Sequence, residues 1–139
     1  MADANTIQVR LVTPDRILVD QTATAVELPS KSGYLEVLPG HAPLLSELGS
    51  GEVRLHGGEA GERRYHVSWG FVEVLPERVT ILADEAETPE EIDTAAAQRE
   101  LEEGNQLWKD ADDREEKYAE ANELIADAES KLASAGGKG

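Results

Sequence analysis

The chain has 139 residues, no cysteine, and 29 acidic against 13 basic residues, a net charge of −16. This length admits one ordinary domain, or a small domain with an appendage, and excludes a large multidomain enzyme. The missing cysteine excludes disulfide scaffolds, zinc–thiolate sites and thiol chemistry, and the acidity opposes binding to nucleic acid or to an anionic lipid surface.

The start, MADANTIQVRLV, has no basic patch ahead of an apolar stretch. No uncharged apolar run approaches the ~20 residues that span a bilayer. A soluble, intracellular chain without direct membrane insertion is expected.

From residue 6 to residue 83 the apolar positions come in short bursts rich in β-branched residues and separated by glycine or proline, the pattern of strands. IQVRLV places Ile7, Val9 and Leu11 on one face and Gln8 and Arg10 on the other. AVEL, YLEVL, GEVRL, RYHVSW, GFVEVL and RVTILA follow, with Phe71 and Glu73 facing away from Val72 and Val74. Strands that each bury one side, separated by turns, predict a sandwich or barrel. In the PGHAP segment, Pro39 fixes φ, Gly40 supplies a turn conformation and Pro43 withholds a ladder donor, so this stretch is first a turn. GSG at 49–51 and GGEAG at 57–61 read as hairpin turns. Residues 1–83 carry a net −4 and 84–139 a net −12, which marks a boundary near Asp84. The predicted domains are 1–84 and 85–139.

At Thr88 the period changes. In TPEEIDTAAAQRELEEG, Thr88 is the predicted N-cap, with Pro89 at the first helical position and Glu91 completing a capping box. Ala97, Leu101, Gly104, Trp108 and Ala111 form one helical stripe, and Tyr118, Ala121, Ile125, Ala128 and Leu132 a second. The polar KDADD at 109–113 connects them into an antiparallel hairpin. Alanine stripes bury little area at about 25 cal/mol per Å², so the hairpin is weakly held and detachable. Gly104 either permits close approach of two backbones or costs about 1 kcal/mol relative to alanine. The tail, SAGGKG from about residue 134, reads as disordered.

None of His41, His56 and His66 has a second histidine or a carboxylate at ligand spacing in a helical segment, so no metal site is expected. There is no nucleophile elbow, Ser68 lying within an alternating strand, and no glycine-rich phosphate loop. The pairs Glu90–Glu91, Glu102–Glu103 and Asp112–Asp113 read as solvated helix faces and a loop. No catalytic residue is expected. A hydrolase using His41 with Glu36 or Glu47 would need activity from the isolated chain. A second class is a free-standing small-molecule or nucleotide-binding β-sandwich with the hairpin as its lid. The composition otherwise describes a loop-presenting β-domain with a detachable acidic hairpin, the design of a coupling or regulatory part.

GYLEVLPGHAPLLSELGSGEVRL, then VSWGFVEVLPERVTILADEAE, then EEIDTAAAQRE resemble the epsilon subunit of the F-type ATP synthase, called delta in mitochondria, in order and spacing over nearly the whole chain. The resemblance implies a flattened antiparallel β-sandwich followed by an antiparallel α-helical hairpin. It implies a non-catalytic rotor subunit of the central stalk that couples ion-driven rotation of the c-ring to ATP synthesis. The implied partners are gamma, the c-ring and, when the hairpin extends, the alpha/beta catalytic head, where the hairpin restrains ATP hydrolysis. The implied location is the cytoplasmic face of a bacterial plasma membrane, as a peripheral component. Ser30, Lys31, Ser32, Gly33, Tyr34, Gly40 and His41 are implied to face the c-ring and the foot of gamma, together at one end of the sandwich.

No cofactor is implied, and ATP enters only as a regulatory ligand. Where ATP-sensing members carry Ile/Leu-Asp-x-x-Arg-Ala, this chain has Ile92, Asp93, Thr94, Ala95, Ala96 and Ala97, so Ala96 stands in the arginine position. Ile92 and Asp93 remain as candidate nucleotide contacts, with Arg99 one turn further on as the substitute cation. The second helix carries Asp113, Glu115, Glu116, Glu120, Glu123, Asp127 and Glu129 against Arg114, Lys117 and Lys131, a charge that opposes docking on acidic segments of the head.

Overall fold

A computed structural model of the chain describes residues 5–112 and 114–136. It divides into two compact units, Met1–Thr88 and Pro89–Gly139. In the first, strands β1 (Ile7–Val12), β2 (Ile17–Ala23), β3 (Ala25–Ser30), β4 (Gly33–Val37), β5 (Leu44–His56), β6 (Arg63–Leu75) and β7 (Arg78–Glu87) form one sheet in the order β2-β1-β7-β6-β5-β3-β4. The boundary expected at Asp84 falls inside β7, because Glu85, Ala86 and Glu87 continue the ladder opposite Ser68, Val67 and His66. Neighbours are antiparallel, as expected, except β1 and β7, which run parallel. A parallel pair needs a long crossover, and the rest of the sandwich supplies it.

The seven strand segments expected from the sequence include neither β2 nor the first half of β5, and they divide β6 into two. β5 and β6 each run for 13 residues and pair along their length. Gly49 and Gly51 therefore lie within β5, with Gly51 opposite Val67, so GSG is no hairpin turn. The strands bend at this point. In β6 the inward residues are Tyr65 and Val67 before the bend and Val72 and Val74 after it, with Trp69 at φ 59° and Gly70 at φ 131° between them. A side chain at Gly70 would place its Cβ 2.0 Å from the Leu82 carbonyl oxygen. The fold thus requires glycine there for both conformation and space. In β5 the inward set likewise passes from Leu48 to Val53 and Leu55. The bend folds the sheet onto itself, so residues of all seven strands meet in one core that includes Leu11, Val19, Leu28, Val37, Leu55, Val72 and Ile81.

At the bend the β3–β5 ladder passes from Glu27–Arg54 to Ser30–Leu48, and Pro29 has no N–H to offer. The Glu52 N–H instead donates to the Tyr34 hydroxyl at 2.9 Å. Tyr34, opposite Pro29 on β4, reaches over a strand to do this. A Cβ on Gly51 would meet that hydroxyl at 2.5 Å, so the glycine opens the space the phenol fills.

In the second unit, Pro89–Glu91 is a single 3-10 turn, followed by α1 (Thr94–Lys109) and α2 (Glu115–Gly136). The expected cap at Thr88 is replaced by Asp93, whose extended backbone and short carboxylate let Oδ1 accept from the Ala96 N–H at 3.0 Å. The link falls within 110–114, where KDADD places it. The helices run antiparallel: Lys131 lies 3.8 Å from Glu100, Gly104 meets Ile125, and Trp108 packs edge-on against Tyr118 with ring centroids 5.5 Å apart. Ala97, Gly104, Ala111, Ala121 and Ala128 are buried. A Cβ at Gly104 would lie 2.8 Å from Ile125 Cγ1, so this glycine serves close approach. Residues 134–136, expected in the tail, continue α2. The remainder of the expected disordered tail, 137–139, lies outside the described residues.

Tyr34→Phe is expected to lower stability by about 1–2 kcal/mol, because it leaves the Glu52 N–H at the bend without its acceptor. The check is urea unfolding, with a lower midpoint and an unchanged slope.

Candidate partner interface

The seven residues expected to face partners fall into two groups at opposite ends of β4. In the first, Ser30 Oγ donates to the Gly33 carbonyl at 2.6 Å and accepts from the Ser32 N–H at 3.2 Å, closing the β3–β4 turn. The Lys31 N–H donates to the Glu47 carbonyl at 3.2 Å, and its ammonium sits 5.6 Å from the centre of the Trp69 ring. Gly33 takes φ 127°. This turn is therefore braced against the bend in β6. Lys31, Ser32, Gly33 and Tyr34 are all exposed.

In the second group, the Gly40 N–H donates to the Pro76 carbonyl at 2.8 Å, with φ at 86°. The His41 N–H donates to the Leu38 carbonyl at 3.1 Å, and His41 Nδ1 lies 2.6 Å from the Ala42 carbonyl. A carbonyl only accepts, so the ring proton is on Nδ1. His41 is thus a turn histidine bonded to backbone. Around it Leu38, Ala42, Pro43, Leu44 and Leu45 are exposed, an apolar run with no carboxylate or cation. The two groups do not share one end of the sandwich, as the sequence reading had them. Five residues of β4, at about 3.3 Å each, keep them apart, and β4 is an edge strand of the sheet.

A further surface was not anticipated. The pairings Glu47–Phe71, Phe71–Leu82, Leu82–Val12 and Val12–Ile17 set these side chains in one row across β5, β6, β7, β1 and β2. The row faces away from the core residues Leu11, Val72 and Ile81. Phe71, Leu82 and Ile17 are 53%, 53% and 54% exposed, and Leu45, on the diagonal from Phe71, is 72% exposed. The next row on the same face begins with Leu45 and is otherwise polar: Glu73, Thr80, Arg10 and Asp20. The signal in the sequence is the doublet. Leu11-Val12, Phe71-Val72 and Ile81-Leu82 each interrupt strict alternation, and one apolar side chain of each pair, Val12, Phe71 and Leu82, has only the outer face to occupy.

The candidate nucleotide contacts at the start of α1 are dispersed. Ile92 is buried, Arg99 is exposed, and the Asp93 carboxylate is committed to the helix cap. A cleft of about 220 Å³ in the β unit is lined by Thr13, Asp15, Arg16, Asp84, Glu85, Ala86 and Glu87, and its carboxylates disfavour a polyphosphate. Among the described residues no cluster of His, Asp or Glu is placed to hold a metal ion, and no helix is long and apolar enough to cross a membrane.

Residues 6–89 match the family model described as the ATP synthase Delta/Epsilon chain, beta-sandwich domain. The chain is 51% identical over 96 residues to the ATP synthase epsilon chain of Koribacter versatilis, covering 68% of this chain and 66% of that one. It is 46% identical over 98 residues to the epsilon chain of Solibacter usitatus, covering 70% and 72%. A chain in the cryo-EM structure of the Euglena gracilis mitochondrial ATP synthase OSCP/F1/c-ring superposes with a TM-score of 0.77 at 24% identity, over 94% of this chain and 81% of that one, and shows the same fold. With a β-sandwich and a helical hairpin in the expected order and a family match across the whole sandwich, the chain belongs to the ATP synthase delta/epsilon chain family.

Proposed function

We propose that this protein is a non-catalytic rotor subunit of the central stalk of an F-type ATP synthase. In this role it joins the gamma subunit to the c-ring at the cytoplasmic face of a bacterial plasma membrane, so that ion-driven rotation is coupled to ATP synthesis on other subunits. The observation that carries the reading is the outward apolar row Phe71–Leu82–Val12–Ile17 with Leu45, a surface of large side chains on a protein otherwise dominated by acidic charge. Such a surface fits a partner that remains in place, and gamma is the partner assigned to it. The c-ring is assigned to the β4 edge, because Ser30–Tyr34 and Gly40–His41 lie at its two ends and one partner reaches both only by lying along that strand.

The helical hairpin is assigned the regulatory part, restraining hydrolysis when it engages the alpha/beta head. ATP is not assigned to the start of α1. Ala96 replaces the guanidinium, and Asp93 is spent on the cap.

This reading has four expected outcomes. On gel filtration the chain forms a stable complex with purified gamma, whereas the free-standing binding module needs none. Phe71→Asp combined with Leu82→Asp weakens that complex by about 30-fold or more, the effect of losing about 2 kcal/mol of hot-spot contact, with the fold kept because both side chains are exposed. Truncation after Thr88 raises the ATP hydrolysis rate of the assembled complex, and an unchanged rate rejects restraint by the hairpin. Calorimetric titration of the intact chain with ATP, with and without magnesium, gives no binding heat, while Ala96→Arg tests whether a guanidinium at that position restores it; heat from the natural chain overturns the ATP assignment.

A further inference from the structure

The outer face formed by β4, β3, the second half of β5 and the first half of β6 is charged. Glu27 stands opposite both Glu36 and Arg54, and Arg54 opposite Arg64. The Glu52 carboxylate accepts from Arg54 Nε at 2.9 Å and from Arg64 Nη1 at 3.0 Å. Beside it, the Arg54 guanidinium is held above its ordinary pKa, chiefly by that hydrogen bond.

At the end of this face stands His56, the last residue of β5. Its Nε2 lies 2.9 Å from Glu27 Oε2 on β3, and its Nδ1 lies 2.6 Å from Glu62 Oε2 in the 57–62 loop between β5 and β6. An ionised carboxylate only accepts, so both ring nitrogens must donate, which only the imidazolium does. A neutral ring keeps one N–H and turns a lone pair toward the other carboxylate.

The first part of the loop is fastened independently of the ring charge. The Ala60 N–H donates to the Thr22 carbonyl at 3.1 Å, and Glu59 Oε1 accepts from the Thr22 N–H at 3.2 Å. The Thr24 N–H and hydroxyl both donate to the His56 carbonyl at 2.7 Å. Glu62, at the far end, has a side chain 74% exposed, and its contact with His56 ties it to β3. Of the charged groups around this site, Arg54 and Arg64 are engaged with Glu52, Arg63 Nε donates to the Ala60 carbonyl, Glu59 is engaged with Thr22, and Glu36 lies beyond Glu27. The charges that meet the ring directly are Glu27 and Glu62.

We propose that His56 is a proton-operated latch: as the imidazolium it clamps Glu27 of β3 to Glu62 of the 57–62 loop, and on losing its proton it releases Glu62 and the end of the loop. Glu62 is the side released, because it is the more exposed of the two carboxylates and water replaces its bond at lower cost. The hydrogen bond to Glu27 first, and that to Glu62 second, raise the His56 pKa, against a smaller opposing effect of burial. A folded-state value raised above the unfolded one makes the latch's contribution complete below the unfolded value of about 6.5, and lost as pH rises through the folded value.

The test uses the full chain, isotopically labelled. The His56 ring resonances are followed by NMR from about pH 5 to about pH 9, spanning the ordinary histidine range, together with hydrogen exchange of the amides in 57–63. The His56 midpoint is expected above the ordinary value, and Glu62→Gln is expected to bring it down. Protection of the amides at 61–63, relative to His56→Gln at the same pH, is expected to fall as the ring titrates. A midpoint at or below the ordinary value, a midpoint unmoved by Glu62→Gln, or amide protection that does not follow the ring titration would overturn the latch. Glu62→Gln alters an exposed loop side chain, so the comparison is made in a folded protein.

Discussion

The bend shared by β5 and β6 is the constraint on which the β unit depends. A strand that alternates strictly keeps the same residues inward from end to end. Here the inward set of β6 changes parity between Val67 and Val72, and the residues that absorb the change are Trp69 and Gly70, both at positive φ. The backbone at Gly70 lies so near the Leu82 carbonyl that no side chain fits. Because the two long strands bend together, with Leu48 still opposite Gly70 and Ser50 opposite Ser68, pairing survives the corner and a single sheet becomes two packed faces. The consequences reach the outer surface. The turn carrying Lys31 rests on the Trp69 ring, and the Tyr34 hydroxyl occupies the gap that the bend opens in the β3–β5 ladder. Residues expected to serve only a partner therefore also hold the corner that positions them.

The two outer faces of the sheet divide along chemical lines. One carries the row Phe71, Leu82, Val12 and Ile17; the other carries Glu27, Glu52, Arg54, His56 and Arg64. Fully burying a large apolar side chain yields about 1.5–3 kcal/mol, so a partner that covers the first row gains from every one of these side chains, with the charge of Glu47 at the end of the row beside Phe71. The charged face offers no such gain, since its carboxylates and guanidinia already satisfy one another and would have to be stripped of water together. Net charge adds a second selection. At −16 the free chains repel each other, which opposes pairing of the apolar row with its own copy more than pairing with a partner of opposite charge.

Much of this was legible in the sequence, for identifiable reasons. β1, β3 and β4 were found because alternation such as Ile7-Gln8-Val9-Arg10-Leu11 meets at least one ladder without a register shift, β1 with β7 and β3 with β4. The helical hairpin was found because alanine and larger apolar residues recur at helical spacing on both sides of KDADD. β2 escaped because it is an edge strand with a register shift opposite Leu11 and Val12, so ILVDQTA shows only Val19 and Ala23 as buried positions. GSG was misread because a glycine pair marks a turn when seen alone. Its second glycine is explained only by Tyr34, 17 positions earlier in the chain, whose hydroxyl fills the space beside it. Thr88 was likewise the better cap by motif, yet the 3-10 turn at Pro89–Glu91 moved the helix start to Asp93. The apolar row was written in doublets, but reading it needed the strand register, and that is a property of neighbours far apart in the chain.

The hairpin holds together by a different physics from the sandwich. Its buried positions are small, Ala97, Gly104, Ala111, Ala121 and Ala128, and at Gly104 the α1 backbone closely approaches Ile125 and Leu124 of α2. Dispersion at close approach falls steeply with separation, and a gap of about 0.5–1 Å forfeits a quarter to a half of each contact. Two helices packed in this way are either in register or apart, with little in between. The side chains that fix the register span the whole contact: Lys131 reaches Asp127 at 3.0 Å on its own helix and Glu100 on the other, while Trp108 meets Tyr118 near the link. Lys131 is also one of few cations on a strongly acidic unit, and it is spent inside the hairpin rather than on a partner. A hairpin tied at both ends and closely fitted in the middle is suited to act as one rigid lever, and its charge is predominantly negative. A regulatory role for such a lever therefore depends on which basic surfaces it meets, while the sandwich has a core of its own.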